Sequence, residues 1–342
     1  MSDTTLKLIN LINEGKTVKE ITEILNLSNK QIYNLITTIR NKGFDYNRKY
    51  YYSGDIVYVP RKSLLINSIN EVNIITTPED QTFTALVISD LHIGNEFERL
   101  DLLNKAYEYC IKEGIHIIIN TGDLIDGTFG QGNKKHDNVI EQIDYALQMY
   151  PFDKNILNFT LLGNHDYSSL TKTGQDLSII LNSYRHDIIP IGYRLGKINI
   201  KNDSIILKHP LENTSPQPDS FNKQLILKGH NHKMKLITGN NCILYVPSLS
   251  NINTTSEVIM PTAIKLTLNF NHGLFKEGTI KQLFFEDKAY LLNEIPFYLT
   301  KNETDKEIKF EETRTKKLVK KEEKYTPNMS QIEKFNARYQ IK

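Results

Sequence analysis

Five short motifs in the middle of the chain are rich in aspartate, histidine and asparagine, and they read SDLH, GDLIDG, GNHD, LKHP and GHNH. Carboxylates, imidazoles and a side-chain amide, with no thiolate among them, are ligands for borderline divalent cations. Two such ions about 4 Å apart can hold both the attacking and the leaving oxygen of a phosphoryl transfer. Among the acidic, amide and imidazole side chains of these motifs are Asp90, His92, Asp123, Asp126, Asn164, His165, Asp166, His209, His230 and His232. The motifs therefore predict a site for two metal ions.

Each motif follows closely on a short apolar run of strand character. FTALVIS leads to Asp90, IHIIIN to Asp123, FTLL to Asn164, SIILK to His209 and QLILK to His230. In open α/β sheets, ligands gather beyond the carboxyl ends of strands, so these polar strand ends are expected to converge. Within SDLH and GHNH the two candidate ligands lie two positions apart, so in extended backbone each pair would point to one side.

The pattern between the motifs predicts the fold class. Short apolar runs alternate with amphipathic stretches such as NVIEQIDYALQMY, which is typical of α/β layers. Taken alone, this alternation predicts a doubly wound sheet. The five motifs, in this order, resemble the calcineurin-like metallophosphoesterase superfamily over about residues 83–248. That resemblance implies a four-layer α/β/β/α sandwich instead, and we adopt it as the prediction.

The resemblance also implies how two divalent ions share the ligands. One ion is assigned to Asp90, His92, Asp123 and His232, and the other to Asp123, Asn164, His209 and His230. Asp123 would bridge the ions, because a carboxylate has two oxygens and a charge that offsets two neighbouring cations. Mn²⁺ is the expected metal, with Fe or Zn²⁺ as alternatives, since metal supply can override ligand preference.

Two further residues are implied to take part in catalysis. His165 lies between Asn164 and Asp166, and it resembles the family residue that contacts the phosphate and protonates the leaving oxygen. Asp126, the last carboxylate of GDLID, matches the position that orients this histidine. The implied nucleophile is a hydroxide that bridges the ions. Asp166 either supports the site or caps the helix that follows.

The other four histidines are expected to be structural or exposed, and they are His116, His136, His186 and His272. His136 lies in the glycine-rich stretch GTFGQGNKKHD, where Lys134 and Lys135 could meet a substrate backbone. A surface loop is the simpler interpretation of that stretch.

Residues 1–60 predict a small helical module that ends in a hairpin. Thr17 and Glu20 have the spacing of a capping box at a helix start, and Ser28 and Gln31 repeat it after a tight turn. The stretches YYY and IVYV then flank a turn at Ser53-Gly54. This arrangement resembles a winged helix-turn-helix domain. A three-helix interaction or dimerisation module is the alternative.

Local charge favours a nucleic-acid partner for this module. The whole chain is nearly balanced, with 42 Lys and Arg against 40 Asp and Glu, a net charge of +2. The stretch from Lys30 to Tyr50 instead carries five basic residues against one acidic residue. Helix-turn-helix domains place polar residues of the second helix on base edges and basic residues on phosphates. DNA binding through residues 29–52 is the resulting prediction.

The predicted organisation is a helix-turn-helix-like domain at 1–60, a linker at 61–80, a phosphoesterase domain at 81–298 and a charged tail at 299–342 with a possible short helix. Cys110 and Cys242 are isolated, so neither a disulfide framework nor a cysteine-based zinc site is expected. The first residues lack a secretory pattern and no apolar run approaches the ~20 residues that span a bilayer. A soluble, cytoplasmic protein is expected.

Three functional hypotheses follow. The first is a metal-dependent phosphodiesterase or nuclease acting on DNA, with the helical module binding the polymer. The second is a phosphatase or cyclic-nucleotide phosphodiesterase whose helical module contacts a partner or a second copy. The third is a non-enzymatic DNA-binding regulator with a vestigial phosphoesterase domain. The metal ligands do not distinguish the substrates of the first two.

Overall fold

Strands form where Val, Ile, Leu and Phe dominate short runs, and most helices form where apolar residues recur every three or four positions. The computed structural model describes residues 3–42, 44, 46–60, 71–129, 134–210, 223–252 and 260–299. The helices are α1 (Asp3–Asn13), α2 (Val18–Leu25), α3 (Asn29–Asn41), α4 (Leu100–Glu113), α5 (Val139–Met149), α6 (Asn164–Thr173) and α7 (Leu177–Tyr184). The strands are β1 (Tyr46–Tyr51), β2 (Ile56–Pro60), β3 (Glu71–Ile75), β4 (Thr82–Ile88), β5 (Ile117–Asn120), β6 (Leu157–Leu162), β7 (Ile188–Tyr193), β8 (Leu195–Ile200), β9 (Asp203–Lys208), β10 (Leu225–Lys228), β11 (Lys235–Ile237), β12 (Cys242–Tyr245), β13 (Ala263–Asn271), β14 (Leu274–Phe285) and β15 (Ala289–Tyr298).

The seven-stranded sheet has the order β15-β14-β13-β4-β5-β6-β7. Strands β4 to β7 run parallel, and β13 to β15 continue the sheet antiparallel beside β4. Parallel strands need crossover connections, which α4, α5 and the α6–α7 pair provide. The carboxyl ends of β4, β5 and β6 therefore meet at one edge of the sheet.

The eight-stranded sheet has the order β11-β12-β10-β9-β8-β3-β1-β2. Strands β9, β10 and β12 are parallel neighbours, so the segments after β9 and β10 leave the sheet at the same edge. The hairpin β1–β2 joins this sheet through parallel pairing of β1 with β3. The hairpin is thus continuous with the sheet rather than free in solvent.

The two sheets pack face to face over a buried apolar core. Phe83 and Phe159 come from the seven-stranded sheet, and Ile205 and Leu227 come from the eight-stranded sheet, all without solvent exposure. A second buried cluster joins α4, α5 and α7 to the seven-stranded sheet. Burial of each such side chain contributes about 1.5–3 kcal/mol to folding. This packing holds the two edges that carry the polar motifs against each other.

The amino-terminal helices are part of the same compact unit, which comprises residues 1–301. The predicted capping boxes are confirmed. Thr17 accepts from the Glu20 amide at 3.1 Å while its own amide donates to the Glu20 carboxylate at 2.8 Å, and Ser28 and Gln31 make the equivalent pair before α3. Apolar residues of all three helices join the core between the sheets.

A cluster of five side chains links the helical module to the phosphoesterase part, and we call it the N-terminal seam: Tyr33, Arg48, Tyr58, Asn182 and His186. The rings of Tyr33 and His186 stack with their centroids 4.2 Å apart. Tyr58 Oη lies 2.7 Å from His186 Nδ1, and Arg48 Nη2 donates to Asn182 Oδ1 at 2.6 Å. The seam holds α3, β1 and β2 against α7 and the segment between α7 and β7.

The predicted α/β class with two packed sheets and flanking helices is confirmed. The doubly wound sheet expected from the strand–helix alternation is wrong, because after β7 the chain enters a second sheet. That sheet covers one face of β4 to β7, and helices pack on the other face. Every helix among the described residues is too short or too polar to span a bilayer. The predicted tail at 299–342 and its short helix lie outside the described residues, except for the buried Leu299.

Candidate metal centre

Strand ends from both sheets meet at the site. Asp90, Asp123 and Asn164 follow β4, β5 and β6 of the seven-stranded sheet, and His209 and His230 follow β9 and β10 of the other sheet. The packing of the two sheets brings all seven predicted ligands into one cluster. Their roles as ligands stay predictions.

The first ligand set consists of Asp90, His92 and His232, whose ligand atoms lie within 4.8 Å of one another. His232 Nε2 is 3.3 Å from Asp90 Oδ1. The other ring nitrogen of His232 lies 3.0 Å from the carbonyl oxygen of Ile252. A hydrogen bond from Nδ1–H to this carbonyl fixes the ring and leaves Nε2 with its lone pair toward the cluster.

The second set consists of Asp123, His209 and His230, again within 4.8 Å. His209 Nε2 is 3.1 Å from Asp123 Oδ2, and its Nδ1 lies 2.8 Å from the carbonyl of Thr121. Asn164 Oδ1 lies 3.1 Å from His209 Nε2 and 3.0 Å from His230 Nδ1. The structure thus brings Asp123 and Asn164 to this set. The bridging role of Asp123 stays a prediction.

Five of the seven candidate ligands have positive φ angles: 53° at Asp90, 46° at His92, 54° at Asp123, 80° at His230 and 59° at His232. The extended backbone expected for the DxH and HxH pairs is therefore wrong. The chain turns sharply as it leaves each strand, which requires the left-handed region. Non-glycine residues occupy that region at a cost of roughly 1–2 kcal/mol each, and such conformations concentrate at functional sites.

Glycines allow the close approach of these turns. A Cβ at Gly163 would lie 2.2 Å from Asp123 Oδ1, and a Cβ at Gly122 would lie 2.2 Å from His209 Nδ1. Any side chain at either position would displace a candidate ligand. The glycines of GD and GN are therefore required by the space that the ligands occupy.

Charged neighbours outweigh the effect of burial at Asp90 and at His209. Burial by itself raises the pKa of Asp90, but the charge of the neighbouring His232 outweighs it and lowers the pKa to about 2. Burial lowers the pKa of His209, and the neighbouring Asp123 and Asp90 carboxylates outweigh it and raise that pKa to about 9. Both shifts arise because a carboxylate and an imidazole lie next to each other, so that each partner stabilises the charged form of the other.

The residues present fit a metal centre. Among the described residues, Asp90 Oδ1 and both ring nitrogens of His92 are buried and make no hydrogen bond. Buried polar atoms without partners cost about 1–3 kcal/mol each, unless a ligand satisfies them. The donor set of oxygen and imidazole nitrogen suits a divalent cation. This arrangement can hold two cations next to each other.

His165 lies beside the two sets at the start of α6, with its side chain 18% exposed. Its Nδ1 is 2.7 Å from the backbone carbonyl of Asp126 and 3.9 Å from the Asp126 carboxylate, and its amide donates to Asp123 Oδ1 at 2.9 Å. The carbonyl requires a proton on Nδ1, so Nε2 is the nitrogen that can exchange a proton. In the structure, the main chain of Asp126 orients His165.

Asp166 takes both of the roles that the sequence left open. Its carboxylate accepts from the amide of Gly163 at 2.9 Å, which caps α6, and from the amides of Leu124 and Ile125 at 3.1 and 3.0 Å. Burial and the nearby Asp123 carboxylate raise the pKa of Asp166 to about 7. The residue thus ties the loop after β5 to the start of α6.

Sequence reasoning missed Glu98, a buried carboxylate between two loops of the site. It accepts from the Gly94 amide at 2.6 Å, from Lys135 Nζ at 2.6 Å and from Tyr145 Oη at 2.9 Å. Glu98 belongs to none of the five motifs. The only feature of the sequence that could have identified it is its position as an acidic residue shortly after the SDLH motif. Lys135, which the sequence suggested could meet a substrate backbone, forms this ion pair.

The remaining histidines differ in their surroundings. His186 is buried in the N-terminal seam and His116 Nδ1 lies 3.0 Å from the carbonyl of Asn155, consistent with structural roles. His136 packs its ring against Tyr145 with the centroids 4.7 Å apart. His272 lies in the turn between β13 and β14.

The calcineurin-like phosphoesterase family matches residues 83–323, more than half of the chain. Among curated protein sequences, no significant relative was found. One solved structure with a similar fold is that of the phosphoesterase Yfce from E. coli, which is 13% identical in sequence. The match covers 64% of this chain and 100% of that chain, with a TM-score of 0.40. Another is that of the nuclease MPE from Pseudomonas putida, which is 16% identical in sequence. That match covers 54% of this chain and 84% of that chain, with a TM-score of 0.31. At these TM-scores the likenesses carry no argument about substrate.

Proposed function

Because the chain belongs to the calcineurin-like phosphoesterase family and is a metal-dependent phosphoester hydrolase, we propose that it cleaves phosphodiesters in nucleic acid, most directly DNA. The observation that carries the proposal is the pair of adjacent ligand sets, which are joined where the His230 amide donates to Asp90 Oδ2 at 3.1 Å and which lie next to His165. Basic residues around this site and on α3 support a polymeric anion as substrate. The non-enzymatic hypothesis is not retained.

The chain's own residues supply binding, orientation and a proton. When bound, two divalent cations, Mn²⁺ in our proposal, would neutralise phosphate charge and acidify a water molecule. Asp90, Asp123 and the histidines around them would hold the cations at the meeting edges of the two sheets. With Nδ1–H of His165 committed to the Asp126 carbonyl, the proton available to a leaving oxygen is the one on Nε2.

Cations beside the second ligand set support a polyanionic substrate. Lys208 and Lys228 end the paired strands β9 and β10, directly before the His209 and His230 segments, and Arg194 is exposed beside them. Burial, followed by the charges of Lys228 and Arg194, lowers the pKa of Lys208 to about 8. Mutual repulsion of three cations is relieved when phosphates bind near them.

The helical module supplies a second surface for the polymer in this proposal, narrower than residues 29–52. Lys30, Asn34, Thr38 and Asn41 are exposed along one side of α3, with Lys42 at its end. Their spacing places them on one helix face, as in a helix that contacts a groove. We interpret the module as winged-helix-like on this basis.

Two residues of the predicted DNA-contacting region, 29–52, make contacts within the protein. Tyr33 and Arg48 lie in the N-terminal seam, where Tyr33 stacks on His186 and Arg48 bonds to Asn182. This observation favours a second candidate function, a phosphatase or cyclic-nucleotide phosphodiesterase in which the module has a structural or partner-binding role. The two candidates differ in whether α3 binds DNA.

A substrate panel tests the proposal. Metal-reconstituted protein and a His165→Ala variant are incubated with labelled single- and double-stranded DNA and RNA and with small phosphoesters, in Mn²⁺ or EDTA. We expect polymer cleavage that requires Mn²⁺, and a kcat about 10²–10⁴-fold lower in the variant, because a general acid is lost. His116→Ala, at the opposite end of the sheet, serves as the matched control and should cleave normally.

Turnover of small phosphoesters without cleavage of any polymer would reject the nuclease and select the second candidate. The Lys30→Gln/Lys42→Gln double variant separates them further. If α3 binds phosphates, the slope of log affinity against log salt falls by about 1 for each lysine–phosphate interaction that the substitutions remove. A Lys112→Gln variant on α4 controls for general charge.

A further inference from the structure

An exposed aromatic ring stands beside the candidate general acid. Phe129 follows the GDLIDG motif, and its ring meets the ring of His165 edge to face, with the centroids 6.1 Å apart. Its side chain is nevertheless 53% exposed, so much of the ring remains open to solvent. Single exposed apolar residues are common on proteins. The contact with His165 is what sets this one apart.

The main chain before Phe129 is held in place from two sides. The amide of Gly127 donates to the side chain of Gln142 at 2.7 Å, and the amide of Thr128 donates to Ser168 Oγ at 2.8 Å. Gly127 has φ +63°, and a Cβ there would lie 2.2 Å from the His165 carbonyl oxygen. These contacts hold Gly127 and Thr128 against the start of α6, which places Phe129 next to His165.

A cation lies at the base of the same loop. Lys134 Nζ donates to the carbonyl of Gly127 at 3.1 Å and is 4.0 Å from the Asp126 carboxylate. The His165 side of the site therefore combines a proton donor, a positive charge and an open aromatic face. These three groups match the leaving oxygen, phosphate and base of a nucleotide.

We propose that Phe129 forms a subsite on which the base of the leaving nucleoside stacks, so that the enzyme acts on unpaired nucleotides. The inference rests on the proposed function, because His165 marks the leaving-group side only if it is the general acid. Stacking on an aromatic side chain accepts any base, since every base has a π face. A paired base inside a duplex is shielded from such a ring. The preferred substrates are thus single strands or frayed ends.

The test compares two oligomers with the same number of phosphates, oligothymidylate and a chain of abasic residues of equal length. Wild type, Phe129→Ala and Phe129→Trp are assayed on both in Mn²⁺. We expect Phe129→Ala to lower kcat/KM on oligothymidylate by about 5- to 100-fold, the range of a lost stacking interaction, and mainly through KM. On the abasic chain it should equal wild type, and Phe129→Trp should retain cleavage of oligothymidylate.

Phe152→Ala is the matched control, because Phe152 is also 53% exposed but lies before β6, at the opposite end of the strand from Asn164. It should behave as wild type on both chains. An equal loss for Phe129→Ala on both oligomers, or no loss on either, overturns the stacking subsite while leaving the nuclease intact. If wild type cleaves duplex DNA in Mn²⁺ but neither oligomer, the subsite fails and the proposed nuclease function stands. If it cleaves no polymer at all, the proposed nuclease function fails and the subsite fails with it.

Discussion

Two buried histidines show how differently the metal centre and the N-terminal seam use burial. His209 and His186 are both almost without solvent exposure. Burial lowers the pKa of each, but the Asp123 and Asp90 carboxylates outweigh it at His209 and raise that pKa to about 9. At His186 burial is reinforced by Arg48 and Arg40, and the pKa falls to about 3. The negative charge of the metal centre thus favours the protonated form of His209, whereas the seam favours the neutral form of His186.

The backbone shows the same contrast. Five candidate ligands of the metal centre have positive φ angles, whereas none of the five seam residues does. Strained turns persist only where the surrounding structure forces them, and they concentrate where a ligand must be held. The seam is built from ordinary strands and helices whose side chains stack and hydrogen bond. One region is organised for an ion, and the other for packing.

The largest expected effect comes from removing charge at the metal centre. Asp123→Asn should lower kcat on any phosphoester by about 10³-fold or more, because metal stabilisation of the transition state contributes several kcal/mol. Elemental analysis should show fewer bound metal ions per chain. Asp203→Asn, a similarly buried aspartate at the start of β9, should keep both metal and activity. Full metal content in Asp123→Asn would contradict the assignment.

A smaller effect, on stability rather than chemistry, is expected at the seam. Tyr33→Ala removes the ring that stacks on His186 and should lower the free energy of unfolding by about 2–4 kcal/mol, as expected for loss of a packed aromatic ring. Denaturant unfolding of metal-loaded protein measures this change, and Tyr33→Phe should recover most of it. Hydrolysis of a small phosphoester should change less than about 2-fold in Tyr33→Ala, since the seam does not contact the site. A loss of turnover as large as that of Asp123→Asn would erase the distinction between the regions.

The smallest effect is the pH dependence that the seam contributes. The pKa of His186 falls from an ordinary value of 6.5 to about 3 on folding. Between these values the unfolded chain binds a proton that the folded chain does not, so stability decreases as pH falls through this window. From pH 7 to pH 5 the contribution is about 2 kcal/mol by linkage.

Comparison of wild type with His186→Gln isolates this contribution, because other titrating groups are common to both proteins. We expect stability to decrease less in the variant as pH falls from 7 to 5. Parallel pH profiles would show that the His186 ring accepts a proton in the folded protein. The seam would then resemble the metal centre, because its buried histidine would carry a positive charge.

Much of the site was predictable from sequence, because ligand chemistry depends on residue type and order. Aspartate, histidine and asparagine at the ends of apolar runs predicted which residues gather, and the structure gathers them. The local geometry was not predictable. Asp90 and His92 were expected in extended backbone, but the turns after the strands place both in the left-handed region.

The helical module shows most clearly which contacts could not be predicted from the sequence. Capping boxes predicted where α2 and α3 begin, since those hydrogen bonds are local in sequence. They could not predict that Tyr33 packs on His186, more than a hundred positions away. A polar or aromatic residue on a helix face has the same pattern whether that face meets DNA, solvent or another part of the chain.

The amino-acid sequence alone predicted the metal-binding chemistry and the order of the candidate ligands, because these depend on residue types and their order along the chain. It also determined where α2 and α3 start, because their caps are hydrogen bonds between residues close together in the chain. Only the tertiary structure decided that two sheets bring the ligand sets together, that the Asp126 main chain orients His165, and that Phe129 stands beside it. Such contacts join distant segments, and they are set by how the sheets pack.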